Sequence, residues 1–247
     1  MTRDEQDRPE PEPTLTPAQR RRERERADAR ESILSAALDV ARRDGWDAVT
    51  MRRLADEIEY SANFAYRYFT GRDDILLALV RQGFARLRDS MATAAAPEGP
   101  GTDGGSTAGA SGTAAAAVRR AGHAYLDFGL TEPDLYQLMY GLGGVRVPAT
   151  DAWDEGQAVG DLLAGLLATA GDTRPEGHVL RLWATAHGLI ALLVVGRVGV
   201  DAEGLHALLD EALTDCLTRV LPGADTPDTP ITPGTIPGRT QGTPQQP

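Results

Sequence analysis

The chain contains no lysine: all 25 of its basic residues are arginine, set against 36 carboxylates for a net charge of −11. A GC-rich genome produces the same bias, so it carries no functional weight. Cysteine is almost absent. The single Cys216 cannot close an intrachain disulfide, and the opening stretch MTRDEQDRPEPEPT is acidic and proline-rich, unlike a secretory signal, so a cytoplasmic location is expected. Long hydrophobic runs are missing as well. GLIALLVVG, from Gly188 to Gly196, falls far short of the roughly 20 residues needed to cross a bilayer, so no membrane is expected and the segment reads as a buried helix or an interface. Four histidines, His123, His178, His187 and His206, are scattered without metal-ligand spacing, and no phosphate-cradling glycine loop occurs. No cofactor or metal is therefore expected. An enzyme would have little to build on, unless His123 and His187 met across the core.

What is present is enough for a core, with 247 residues at 41% hydrophobic content. The apolar spacing is helical, with no sustained alternation, and predicts an all-α protein. Residues 1–15 and 222–247 carry almost no large apolar side chains and are expected to be disordered tails. Residues 92–113, rich in Gly, Ala, Ser and Thr, read as a flexible linker within a C-terminal unit of residues 72–221, which follows an N-terminal unit of residues 16–71. Charge divides along the same lines. Residues 18–90 hold 15 Arg against 13 Asp and Glu, so the acidic excess lies elsewhere.

In the N-terminal unit, Thr16 is placed to cap a helix that starts at Pro17, carries the stripe Ile33, Leu34, Ala37, Val40 and Ala41, and stops at Gly45. Thr50 caps a second, short helix through Met51, Leu54, Ala55 and Ile58. After a short turn Ser61 caps a third, Ala62 to Phe69, and a fourth runs from Arg72 to about Met91. Short helix, tight turn, short helix is the helix-turn-helix arrangement, whose second helix enters the major groove. This accounts for the crowding of Phe64, Tyr66, Arg67, Tyr68, Phe69 and Arg72 in a chain only 5% aromatic. One side of the third helix packs inward, and the other presents Tyr hydroxyls, guanidinium groups and the Asn63 amide, which suit phosphates and base edges. For Phe69 ordinary core is the better reading. Arg20, Arg21 and Arg22 extend the first helix toward the side where DNA would lie, although Arg and Glu in RRRERERADAR also make intrahelical pairs on a solvated face.

The stretch ARESILSAALDVARRDGWDAVTMRRLADEIEYSANFAYRYFTGRDDILLALV resembles the DNA-binding domain of the tetracycline-repressor (TetR) family. The likeness lies in the Ala-rich first helix ending at Gly45, Val49-Thr50, Leu54-Ala55, the Y-x-Y-F ending of helix three and the RDDILLALV opening of helix four. It implies backbone contacts to double-stranded operator DNA from Thr50, Arg52, Tyr66, Tyr68 and Arg72, with Ala62, Asn63 and Arg67 nearest the bases. Glu59 departs from the pattern, standing where the family's turn usually has Gly, as does Phe64-Ala65 in place of a small residue followed by a large one.

Farther on, AYLDFGLTEPDLYQLMYG and LWATAHGLIALL resemble the ligand-binding half of the subgroup marked by Trp-His-Gly, here Trp183, His187 and Gly188. The resemblance implies a small-molecule effector. Trp183 and His187, four apart, share a helix face and read equally as core or as pocket wall, with Gly188 giving a neighbouring helix room to approach. Phe84, Leu87 and Met91, then Tyr125 and Phe128, then Tyr136, Met139 and Tyr140 complete the expected lining, an adaptable apolar surface. Two last helices, about Pro175 to Val198 and Asp201 to Leu221, carry broad apolar faces that a homodimer would pair in a four-helix interface. The competing reading is a helical partner-binding protein without sequence-specific DNA recognition.

Overall fold

Thr16 opens the first helix with a reciprocal cap: its hydroxyl accepts from the Gln19 backbone N–H at 3.3 Å, while Gln19 Oε1 accepts from the Thr16 N–H at 2.8 Å. In this computed structural model, which describes residues 16–97, 107–142, 144–145, 147 and 149–220, helix α1 (Pro17–Asp44) ends where Gly45 takes a φ of 82°. Its first half is exposed. Its second half buries Ile33, Leu34, Ala37, Val40 and Ala41. Helix α2 (Met51–Glu57) starts from Thr50, whose side chain accepts from the Arg53 N–H. Helix α3 (Ala62–Tyr66) is shorter than the sequence predicts. From Arg67 the backbone N–H groups of Tyr68 and Phe69 both turn back to the Ala65 carbonyl, which lets Phe69 drop into the core beside Ala65.

Helix α4 (Arg72–Ala95) links this head to the rest, which comprises α5 (Thr107–Thr131), α6 (Pro133–Tyr140), α7 (Trp153–Ala170), α8 (Pro175–Val194) and α9 (Ala202–Val220). No strand occurs among the described residues, in keeping with the all-α expectation. The expected linker is shorter than 92–113, because α4 continues through Ala95 and α5 begins at Thr107. The alanines on both sides favour helix, and only the Gly- and Pro-rich middle is left for a connection. That middle and both tails lie outside the described residues. Helix α8 stops at Val194 rather than Val198, as Gly196 adopts φ 64° and the Arg197 N–H returns to the Leu192 carbonyl.

Helix α5 is central, packed against α4, α7, α8 and α9. Gly83 lets α6 approach α4 so closely that an added Cβ would stand 2.5 Å from Met139 Sδ. Helix α8 is long and apolar enough to cross a membrane by length and composition, but Leu182, Ala186 and Ile190 pack it into the bundle, while Leu180, Trp183 and Leu192 are exposed. The expectation for Gly188 is overturned within the single chain. A Cβ there would meet nothing within 4 Å, because Gly188 lies outside the intramolecular packing of α8.

Candidate nucleic-acid interface and ligand cavity

The first site is the outer surface of α2 and α3. Tyr66 is 55% exposed, and Thr50, Arg52, Asn63 and Arg67 are exposed beside it. Ala62 begins α3 at the same end. A second layer of aromatics supports them. Tyr60, not singled out in the sequence, stacks on Phe64 with centroids 4.1 Å apart, and Phe64 in turn packs on Tyr68 at 5.1 Å, so one aromatic row starts in the turn before α3, passes through it at Phe64 and ends just beyond it. The regular spacing of four was the available signal. Arg67 lies 5.8 Å from the Tyr68 ring, and Arg30 lies 4.2 Å over Phe69 while donating to the Tyr68 carbonyl at 2.6 Å.

Arg72 belongs to the scaffold more than to the surface. Its Nε donates to the Val49 carbonyl and its Nη2 to the Trp46 carbonyl, both at 3.0 Å, so it ties the start of α4 to the connection that delivers α2. Two of the five guanidinium donors are thus committed to backbone carbonyls, which gives Arg72 a positioning role beside its expected backbone contact. Arg43 pairs with Glu57 at 2.7 Å and Arg53 with Asp44 at 3.0 Å, fixing α2 to α1. Arg20, Arg21 and Arg22 stand exposed on the free first turns of α1, where Arg21 pairs loosely with Glu25 at 3.6 Å.

The second site is a cavity of about 850 Å³ lined by residues of α4 to α9. Of the residues singled out in the sequence, Phe84, Met91, Tyr125, Met139, Tyr140 and Trp183 line it. Leu87 and Phe128 do not, being buried between helices, while Tyr136 and His187 stand one layer behind the wall. Sequence reasoning overlooked α7, which supplies Gly156, Gln157, Val159, Gly160 and Leu163. Glycines four apart followed by a leucine stripe were the signal for a helix lying close to its neighbours. No Arg, Asp or Glu is among the described lining residues.

Polar groups meet at one end of the cavity. Tyr125 Oη lies 2.9 Å from Tyr136 Oη and 3.1 Å from Tyr140 Oη, accepts from Trp183 Nε1 at 3.1 Å, and Tyr136 Oη contacts His187 Nδ1 at 2.8 Å. Burial holds all three phenols well above the ordinary tyrosine range and lowers the His187 imidazole, so the cluster is neutral at physiological pH. His123 does not meet His187. Its Nδ1 contacts His206 Nδ1 at 2.7 Å between α5 and α9, with Asp127 and Asp210 on the outer nitrogens, because the helical register directs it away from the cavity. No cluster of three or more metal-ligating side chains forms among the described residues.

One ion pair and one hydrogen bond join α1 of the head to the helices beyond it. Glu132, just before α6, accepts from Arg42 of α1 at 2.6 Å and from Arg86 of α4, and Gln82 of α4 donates to Glu31 of α1 at 2.8 Å.

Residues 33–79 match the family described as bacterial regulatory proteins, tetR family, and residues 118–216 match the tetracyclin repressor-like C-terminal domain. The chain belongs to the TetR family. A curated relative, the HTH-type transcriptional repressor KstR of Mycobacterium tuberculosis, is 34% identical over 60 residues, a match spanning 24% of this chain and 27% of KstR. Among solved structures, a protein of unknown function from Rhodococcus sp. RHA1 aligns with a TM-score of 0.62 at 25% identity over 78% of this chain and 95% of that one. A TetR-family regulator from Streptomyces coelicolor aligns at 0.61 and 20% identity over 84% and 96%. This TetR-family chain is thus a ligand-responsive transcriptional regulator, not an enzyme. The first site lies within the N-terminal match, and most of the cavity wall lies within the C-terminal one.

Proposed function

We propose that the protein is a cytoplasmic homodimeric repressor that grips a two-fold-related operator through α2 and α3 and lets go when a small, largely apolar molecule enters the cavity. The observation that carries this reading is the single helix α4. Its first residue, Arg72, holds the connection leading to α2, while Phe84 and Met91 along the same helix form cavity wall. A tilt that accommodates a ligand at one end must move the head at the other. KstR carries the word repressor in its own name, which supports the sign of regulation here.

The outward apolar side of α8 supports the dimer. Leu180, Leu192 and Val195, with Leu208 on α9, are exposed in the single chain, and a second copy would cover them while placing two recognition helices on one palindromic site. Thr50, Arg52, Tyr66 and Tyr68 would hold phosphates, with Asn63 and Arg67 nearest the bases and Arg20 to Arg22 reaching toward flanking DNA.

Selection from random duplex pools tests the reading, and a two-fold-related consensus is the expected product. Tyr66→Ala should weaken binding to every sequence, while Arg67→Ala should relax preference at one position per half-site by about 1–3 kcal/mol. If both variants bind the selected operator as the parent does, α3 is not the reader.

A further inference from the structure

The hydrogen-bonded chain behind the cavity wall has a direction. Between Tyr125 and Tyr140 the aligned arrangement has Tyr125 as donor, and a phenol has one proton to give, so the Tyr125–Tyr136 contact requires Tyr136 to donate. The proton of Tyr136 is then committed, and its 2.8 Å contact with His187 closes only if Nδ1 of the imidazole carries a proton, a tautomer assigned from the network. The order is therefore His187 to Tyr136 to Tyr125 to Tyr140, with Trp183 also donating into Tyr125. It ends on the O–H of Tyr140, which has no acceptor among the described residues. Tyr140 lines the cavity, and no charged described side chain does. Burial keeps the chain neutral from end to end.

We infer that the effector is an uncharged, mostly apolar molecule bearing a carbonyl-type acceptor, such as a ketone, ester or lactone, which receives the Tyr140 hydroxyl proton. The inference rests on reading this cavity as the effector site. A neutral carbonyl completes the donor chain and leaves its carbon skeleton against Phe84, Met139 and Leu163. A pure hydrocarbon leaves a desolvated O–H unmatched. A carboxylate brings a full charge to a wall with no arginine among its described residues, and the neutral imidazole of His187 already directs its Nδ1 proton to Tyr136, so burial of that charge is uncompensated by them. Selectivity thus comes from the uncommitted Tyr140 donor at one end of a largely apolar space, whose other polar lining side chains are Gln157, held by Asp161, and Tyr125 and Trp183, held in the chain itself.

Calorimetric titration of the full chain at neutral pH with tridecan-2-one, tridecane and tridecanoate, three probes of matched skeleton, provides the test. The ketone should bind about tenfold tighter than the alkane, which corresponds to one net hydrogen bond, and the carboxylate weakest of the three. Tyr140→Phe, which removes a single oxygen and keeps the ring, should bring the ketone-to-alkane ratio close to one. It should also abolish the downshift of the bound carbonyl stretching frequency seen in the parent. Equal binding of ketone and alkane by the parent, or tightest binding of tridecanoate, overturns the acceptor assignment while leaving the cavity as effector site. If none of the three binds, the effector-site reading itself falls, and this inference falls with it.

Discussion

At the scale of single residues, Glu59 shows how a local departure from a family pattern is absorbed. It holds a φ of 57° in the turn between α2 and α3, the one non-glycine residue with positive φ among those described. A left-handed conformation costs a side-chain-bearing residue about 1–2 kcal/mol, and glycine recovers this against a larger unfolded-state entropy of about 0.5–1 kcal/mol. Glu59→Gly is therefore expected to raise the free energy of unfolding by about 0.5 kcal/mol, measured by urea denaturation. A loss of stability would mean that the Glu59 side chain makes an interaction worth more than the strain. The same departure was visible in the sequence, whereas the commitment of Arg72 to two carbonyls was not. An exposed arginine and a structural one have the same letter, and only the placement of Trp46 and Val49 against α4 separates them.

At the scale of elements, signal passes through what is clamped to what. Glu132 sits where α5 gives way to α6, only 17% exposed, and takes hydrogen bonds from both α1 and α4. Since Met139 and Tyr140 at the far end of the eight-residue α6 form cavity wall, a ligand pressing on them shifts a helix whose other end is fastened to the DNA-reading head. Glu132→Gln keeps the shape and removes the charge. It should reduce the coupling between effector and operator by about 0.5–2 kcal/mol, out of a typical total of about 1–3 kcal/mol, while leaving each ligand able to bind alone. The measurement is operator affinity with and without saturating effector in parent and variant. An unchanged ratio would show that the clamp is structural only.

At the scale of the whole molecule, α8 is an unfinished element. Of its 20 residues only Leu182, Ala186 and Ile190 are buried, Leu180, Leu192 and the adjoining Val195 are exposed, and a Cβ at Gly188 would meet nothing within 4 Å, the pattern of an interaction face. Leu192→Glu together with Val195→Glu should convert the proposed dimer to a monomer in sedimentation velocity, with a large loss of operator affinity, because one head makes too few phosphate and base contacts. A double variant that remains dimeric would place the interface elsewhere. Reciprocity is expected as well: whatever factor the effector takes from operator affinity, operator DNA must take from effector affinity.

The sequence alone determined the helices with strong punctuation: Thr16-Pro17 and Gly45 for α1, Thr50 for α2, and the aromatic-arginine cluster that marks the recognition helix. Caps and periodicity act within a few residues, so they can be read along the chain. It also contained part of the cavity wall as scattered aromatics and methionines, yet it could not say that Leu87 and Phe128 turn into the core while Gly156, Gln157 and Gly160 of α7 turn toward the cavity. Nor could it pair His123 with His206 instead of His187, or order Tyr125, Tyr136, Tyr140 and His187 into a directed chain. Those outcomes depend on the rotation of each helix about its own axis, and that rotation is set by packing against residues tens of positions away. A hydrogen bond needs donor and acceptor placed to a fraction of an ångström, and only the assembled bundle supplies that placement.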